Sequence, residues 1–186
     1  MTVTAPFACQ ADVLSAIDAA IRTIPDFPQP GIQFRDITPM IGDARLFAAS
    51  VDLMAERARP LAPDVIVAVE ARGFLFGAPL ALALGIGLVP VRKPGKLPAD
   101  THAVEYGLEY GTDRLEMHVD ALADGARVLL VDDLLATGGT IGAAASLVTR
   151  QGASVCGALF LIELAALGGR TKLADGDFPV DALLSY

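Results

Sequence analysis

Apolar side chains recur along this chain with two different periods. Val13, Leu14, Ile17 and Ile21 follow Asp12 at helical spacing, which predicts an amphipathic helix over residues 12–22, capped by Asp12 and ended before Pro25. Phe47, Val51 and Met54 repeat that spacing and predict a second helix over 43–57. Between them, PDFPQPG holds too much proline and glycine for regular structure and leads into IQFRDITP, an irregular or short extended segment. From Asp64 onward the pattern changes. Short apolar runs predict strands at 65–69, 88–91, 115–119, 128–131 and 155–162, with helices at 74–84 and 140–151 between them. Strands interleaved with helices predict an α/β fold: a mainly parallel central sheet flanked by helices. VIVAV and VLLV are apolar at every position, as in strands covered on both faces. The polar stretch 92–112 is too long for a plain connection and reads as a lid or binding element.

Composition narrows the class. With 186 residues, 53% hydrophobic and 19% charged, and a mean hydropathy of +0.51, disorder is excluded and one domain over 1–186 has ample core. A formal charge of −8 argues against a general binder of nucleic acid. Residues 73–91 carry no charge over nearly the length of a bilayer span, but Gly77, Pro79, Gly85, Gly87 and Pro90 interrupt them, so no membrane association is expected. Cys9 and Cys156 form no disulfide framework, His102 and His118 have no metal-binding spacing, and the N-terminus lacks a signal-peptide pattern; a cytoplasmic protein is expected.

The chemistry concentrates in VLLVDDLLATGGT. An apolar strand ends in Asp132 and Asp133, and a turn delivers Ala136, Thr137, Gly138, Gly139 and Thr140 to the start of a helix. Unpaired N–H groups and the helix dipole favour a phosphate there, and the glycines let it approach the backbone. Neighbouring carboxylates suit the vicinal diol of a sugar and can sit near Mg²⁺, so the ligand is read as a ribose 5-phosphate. A tight turn capped by Thr140 is the plainer alternative. Arg72, Arg92, Lys93 and Lys96 lie between Glu70 and Asp100 with no acid among them, a local positive pocket or a set of solvated loop charges.

The strand–DD–turn segment resembles the phosphoribosyl pyrophosphate motif of the type I phosphoribosyltransferases. EARGFLFGAP, VPVRKPGKLP, LEYGTD and PDFPQPGIQFRDITP, in that family's order and spacing, are similar to its adenine-using members, and the likeness runs from about residue 21 to the end. The resemblance implies the family's fold, with a small N-terminal hood at about 25–40 and a flexible lid at about 98–112. It implies a homodimer that transfers the 5-phosphoribosyl group to adenine, giving AMP and pyrophosphate, with Mg²⁺ held mainly by substrate. By resemblance, Arg72 sits in a pyrophosphate loop containing a non-proline cis peptide, and Arg92, Lys93 and Lys96 reach the diphosphate. Glu109 is the catalytic glutamate, Tyr110 the lid residue, and Gln33, Phe34, Arg35 and Leu164 meet the base. Hypoxanthine, guanine or xanthine transfer, or a non-catalytic sensor of phosphoribosyl pyrophosphate, are the alternatives. Without the resemblance, Glu109 would read as an ordinary loop acid and Phe34 equally as a core aromatic.

Overall fold

The structure, a computed structural model, describes residues 9–107 and 112–186. The chain divides into two compact units, Met1–Leu53 and Met54–Tyr186, with the division inside one helix.

The first unit holds α1 (Gln10–Ala20), β1 (Arg22–Pro25), β2 (Gln33–Asp36), α2 (Thr38–Gly42) and the start of α3 (Ala44–Ala58). Val13 and Ile17 are the buried positions of α1, the face marked by its spacing. The helix stops sooner than expected because residues 22–25 pair antiparallel with 33–36, joining Arg22 to Asp36 and Ile24 to Phe34. Pro25 is thus a strand end, where its missing N–H costs little. Local periodicity could not reveal that pairing, since the paired residues lie 8 to 14 positions apart. Asp36 clasps the hairpin: its carboxylate meets Arg22 at 2.5 Å and accepts the Thr38 N–H at 2.9 Å. Hydrogen bonds from Thr38 and then Arg22 bring its pKa down to about 2.

The second unit adds β3 (Val65–Val69), α4 (Gly73–Leu84), β4 (Gly87–Val91), β5 (Thr101–Gly107), β6 (Thr112–His118), β7 (Arg127–Leu135), α5 (Gly139–Arg150), β8 (Ser154–Glu163), α6 (Gly169–Leu173) and β9 (Val180–Ser185). Five strands form a parallel sheet in the order β4-β3-β7-β8-β9. Both faces are covered. Val67, Val69, Val128 and Leu130 join Ile141, Ala144, Leu147 and Val148 of α5 in one buried cluster. On β3 the intervening Ile66 and Ala68 lie under Gly77 of α4, where a Cβ would come within 2.6 Å of the Ala68 methyl. Double coverage is why these strands do not alternate.

Three expectations are corrected. Residues 92–112 are not all loop: β5 pairs antiparallel with β6, from Thr101↔His118 to Gly107↔Thr112. The strand at 115–119 therefore lies outside the parallel sheet, in a hairpin whose Leu115 and Met117 are fully buried. Its link to the end of β4 is a bridge between Arg92 and Glu116. Finally, β7 does not stop at 131 but carries Asp132 and Asp133 within the strand, while β9, assigned to no element from the sequence, supplies the fifth strand. Among the described residues no helix is long and apolar enough to cross a membrane.

Candidate active site

The sheet order places the site. From β3 the chain passes to β4 on one side, then returns to β7 on the other, leaving a crevice beyond the carboxyl ends of β3 and β7. The segments that emerge there are 70–73 and 136–140.

After β7, Gly138 adopts a left-handed φ of +78°, and a side chain there would meet the Gly169 carbonyl at 2.8 Å. Glycine is needed on both counts. Gly138 is also the N-cap of α5, with no side-chain cap and no acid in the first turn, so Thr140 is not the cap of a plain tight turn. Residues 134–141 line a small cavity of about 60 Å³ at this helix start. Backbone donors and the positive end of the helix thus remain available for an anion.

Asp132 and Asp133 have different neighbours. The Asp133 side chain is buried, with Oδ2 3.1 Å from Arg72 Nε. Asp132 Oδ1 accepts the Asp133 N–H at 2.9 Å and lies 3.0 Å from where a Cβ on Gly73 would stand. Gly73 therefore lets α4 begin directly against β7. Burial raises both carboxyl pKa values; the negative charge of Asp133 adds to the shift at Asp132, while Arg72 offsets part of it at Asp133. The two acids consequently hold on to protons more tightly than ordinary carboxylates.

The Glu70–Ala71 peptide bond is cis, as the resemblance implies. Here the positive pocket acquires acids that a linear count misses. Glu70 receives Arg92 Nε and Nη2, each at 3.2 Å, and the Lys93 N–H at 2.9 Å. Burial works to raise the Glu70 pKa, but these donors and the Lys96 charge hold it below its usual value. Asp113, across from Tyr106 on the hairpin, forms an ion pair with Lys93. That hydrogen bond lowers the Asp113 pKa against burial. Burial alone would lower the Lys93 pKa, yet Asp113 and Tyr106 raise it. Of the four cations, Arg72, Arg92 and Lys93 therefore each face a carboxylate. Sequence reasoning passed over Glu70, Asp113 and Tyr106; the available signal was that each sits inside or beside a motif already singled out.

The hairpin approaches the phosphate turn through Tyr106. Its ring lies 3.3 Å from a Cβ built on Gly139, and its hydroxyl accepts from Thr140 Oγ1 at 3.5 Å. Glu109 and Tyr110 lie outside the described residues.

The residues that the resemblance assigns to the base divide between the two units. Gln33, Phe34 and Arg35 form most of β2, with the Phe34 ring edge-on to Phe27 at 5.1 Å and Arg35 Nη1 donating to Thr23 Oγ1 at 2.7 Å. Leu164 follows β8, its N–H donating to the Leu135 carbonyl at 2.9 Å, so it is tied to the strand that leads into the phosphate turn. Beside it, the buried Glu163 is engaged by Arg170 at 2.5 Å. Among the described residues no cluster of three or more His, Cys, Asp or Glu side chains could hold a metal ion.

Comparison with known proteins gives a consistent result. The phosphoribosyl transferase domain family model matches residues 40–177. An adenine phosphoribosyltransferase of Synechococcus sp. is 57% identical over 166 residues, spanning 89% of this chain and 96% of the relative. The crystal structure of adenine phosphoribosyltransferase from Thermoanaerobacter pseudethanolicus superposes with a TM-score of 0.90 at 54% identity, covering 93% of this chain and 99% of that one. The Saccharomyces cerevisiae enzyme, solved with an imino-altritol bisphosphate and adenine, gives 0.87 at 41% identity, covering 94% and 99%.

Proposed function

The chain belongs to the phosphoribosyltransferase family, and on that footing we propose that it transfers the 5-phosphoribosyl group of phosphoribosyl pyrophosphate to adenine in purine salvage, releasing AMP and pyrophosphate. The observation that carries this reading is the uncapped start of α5 directly after the Asp132–Asp133 strand, a seat for the 5-phosphate beside acceptors for the ribose hydroxyls.

In the transfer the C1–oxygen bond breaks with its electron pair passing to pyrophosphate, the bond from adenine N9 to C1 forms, and the N9 proton is lost. Positive charge grows on the ribose ring and negative charge on the leaving group. The family's glutamate, Glu109, would stabilise the first or take the proton. Arg72, Arg92, Lys93 and Lys96 would face the second, Arg72 from the N-cap of α4. Since Arg92 and Lys93 are held by Glu70 and Asp113, they sit preorganised rather than as loose counter-ions. Mg²⁺ would travel with the diphosphate and be held mainly by it, near the partly accessible Asp132 rather than by the buried Asp133 that Arg72 engages; it would supply charge neutralisation of the leaving group. Base recognition is assigned to the backbone of Gln33 and Arg35 and to the side chains of Phe34 and Leu164.

The whole chain is read as one catalytic domain working in the cytoplasm as a homodimer. Leu75 and Leu82 on α4, with Leu88 on β4, are large apolar side chains exposed on neighbouring elements, and a second copy is their proposed cover. Assay of adenine, hypoxanthine, guanine and xanthine with phosphoribosyl pyrophosphate and Mg²⁺ tests the activity. Turnover with adenine is expected; turnover confined to another base would move the chain to that specificity, and none with any base would end the transferase reading.

A further inference from the structure

Tyr106 lies within the stretch read as a lid but received no role of its own from the sequence, yet its hydroxyl meets three separate segments. It accepts from Lys93 Nζ at 3.3 Å, on the segment after β4, and donates to Asp113 Oδ2 at 3.1 Å, on β6. It also accepts from Thr140 Oγ1 in the first turn of α5. The Lys93 ammonium lies 5.8 Å from the centre of the same ring, and the ring edge packs over Gly139. Around this junction the segment after β4 is already clasped to β6. Arg92 and Glu116 exchange backbone hydrogen bonds at 2.9 and 2.7 Å, and the Gly95 N–H donates to Glu116 at 3.1 Å. Tyr106 then joins that assembly to Thr140 at the start of α5, while at the far end of the helix Arg150 Nη1 donates to the Ala103 carbonyl of β5 at 3.0 Å.

We propose that Tyr106 is a positioning residue for phosphoribosyl transfer, its hydroxyl registering the β5–β6 hairpin and the Lys93 ammonium against the phosphate turn. The claim rests on the transferase reading above. The seat itself is made of backbone N–H groups, so loss of the hydroxyl leaves ground-state binding of the 5-phosphate largely intact. What is lost is the coupling of the seat to Lys93, a cation that faces the charge growing on the leaving group in the transition state. An interaction expressed there changes kcat while leaving KM nearly fixed.

The test is Tyr106→Phe, which keeps the ring and its packing over Gly139, alongside Asp113→Asn and the double variant. Steady-state kinetics with adenine and calorimetric titration with phosphoribosyl pyrophosphate are the readouts. Tyr106→Phe should lower kcat about five- to tenfold, the scale of one ordinary side-chain hydrogen bond lost, with less than twofold change in KM and in affinity for phosphoribosyl pyrophosphate. Asp113→Asn should show the same split, and the double variant should fall less than twofold below the worse single variant, because both remove one junction. An unchanged kcat in Tyr106→Phe, additive losses, or a loss confined to KM would overturn the proposal. If Tyr106→Phe proved unstable, the split and its direction would be read from Asp113→Asn alone. A wild-type protein inert with all four bases is a separate result: it would remove the transferase reading and this inference with it.

Discussion

Gly73→Ala is the sharpest perturbation of the seam between the two active segments. A methyl group at position 73 would stand 2.8 Å from the Val131 carbonyl oxygen, 3.0 Å from Asp132 Oδ1 and 3.2 Å from Asp132 Cα. Two of these are backbone atoms of a central strand and cannot turn away. Alanine in a helix is ordinarily better than glycine by about 0.5–1 kcal/mol, less at the first position of α4, whereas overpacking against a rigid neighbour costs about 1–3 kcal/mol. The clash wins, and a net loss of about 1–2 kcal/mol lowers Tm by about 3–8 °C for a chain of this size. The same displacement moves Asp132, so affinity for phosphoribosyl pyrophosphate should drop about tenfold, a difference of about 1.4 kcal/mol. Gly77→Ala is the matched control. Its methyl would meet the Ala68 methyl at 2.6 Å, within the helix–sheet core rather than at its end. That variant should lose comparable stability and keep its affinity. Differential scanning calorimetry and titration calorimetry on both variants provide the check. A Gly73→Ala protein with wild-type Tm and affinity would refute the argument, as would equal loss of affinity in both.

Asp36 makes the first unit acid-sensitive. Its pKa falls from 3.8 to about 2 in the folded protein, so its stabilisation is complete above the unfolded value and disappears as pH drops through about 2. Wild type and Asp36→Asn should thus differ in urea midpoint at pH 6 and converge near pH 2; a constant gap would count against the Arg22–Asp36–Thr38 clasp. Arg170→Ala should cost about 1–2 kcal/mol, the figure for a buried-pair loss reduced because Arg170 is half exposed, by stranding the buried Glu163; chemical denaturation at pH 7 measures it. Phe34→Ala should raise KM for adenine about tenfold or more while leaving calorimetric affinity for phosphoribosyl pyrophosphate unchanged, and a reversed pattern would take Phe34 out of base recognition.

The parallel sheet was legible because both its faces are buried, which leaves unbroken apolar runs such as VIVAV. The hairpin was not. In THAVEYG the apolar signal is sparse, and its strand character comes from a partner across a turn rather than from its own pattern. For the same reason β1 escaped notice, whereas β9 is a short apolar run, VDALLS, that was simply passed over. At the site, the glycine turn was visible from residue chemistry alone, since few other arrangements place two carboxylates before Ala-Thr-Gly-Gly-Thr. The acids opposing the cations were hidden because Glu70 precedes the counted segment and Asp113 follows it. A charge tally along the chain sees neighbours in sequence, and electrostatics acts on neighbours in space.

The β5–β6 hairpin has a mechanical corollary. It is pinned at one end by the buried Leu115 and Met117 and by the bridge from Glu116 to Arg92, and is held again near Thr112, where Tyr106 and Asp113 meet Thr140 and Lys93. Five residues of strand span about 17 Å, so a tilt of about 5° at the pinned end carries the tip about 1.5 Å. That displacement is enough to make or break a hydrogen bond, and it leaves the ladder of the five-stranded sheet untouched. The sheet and the hairpin can therefore be altered separately, the hairpin by substitutions at Tyr106 or Asp113 that leave the five-stranded ladder intact.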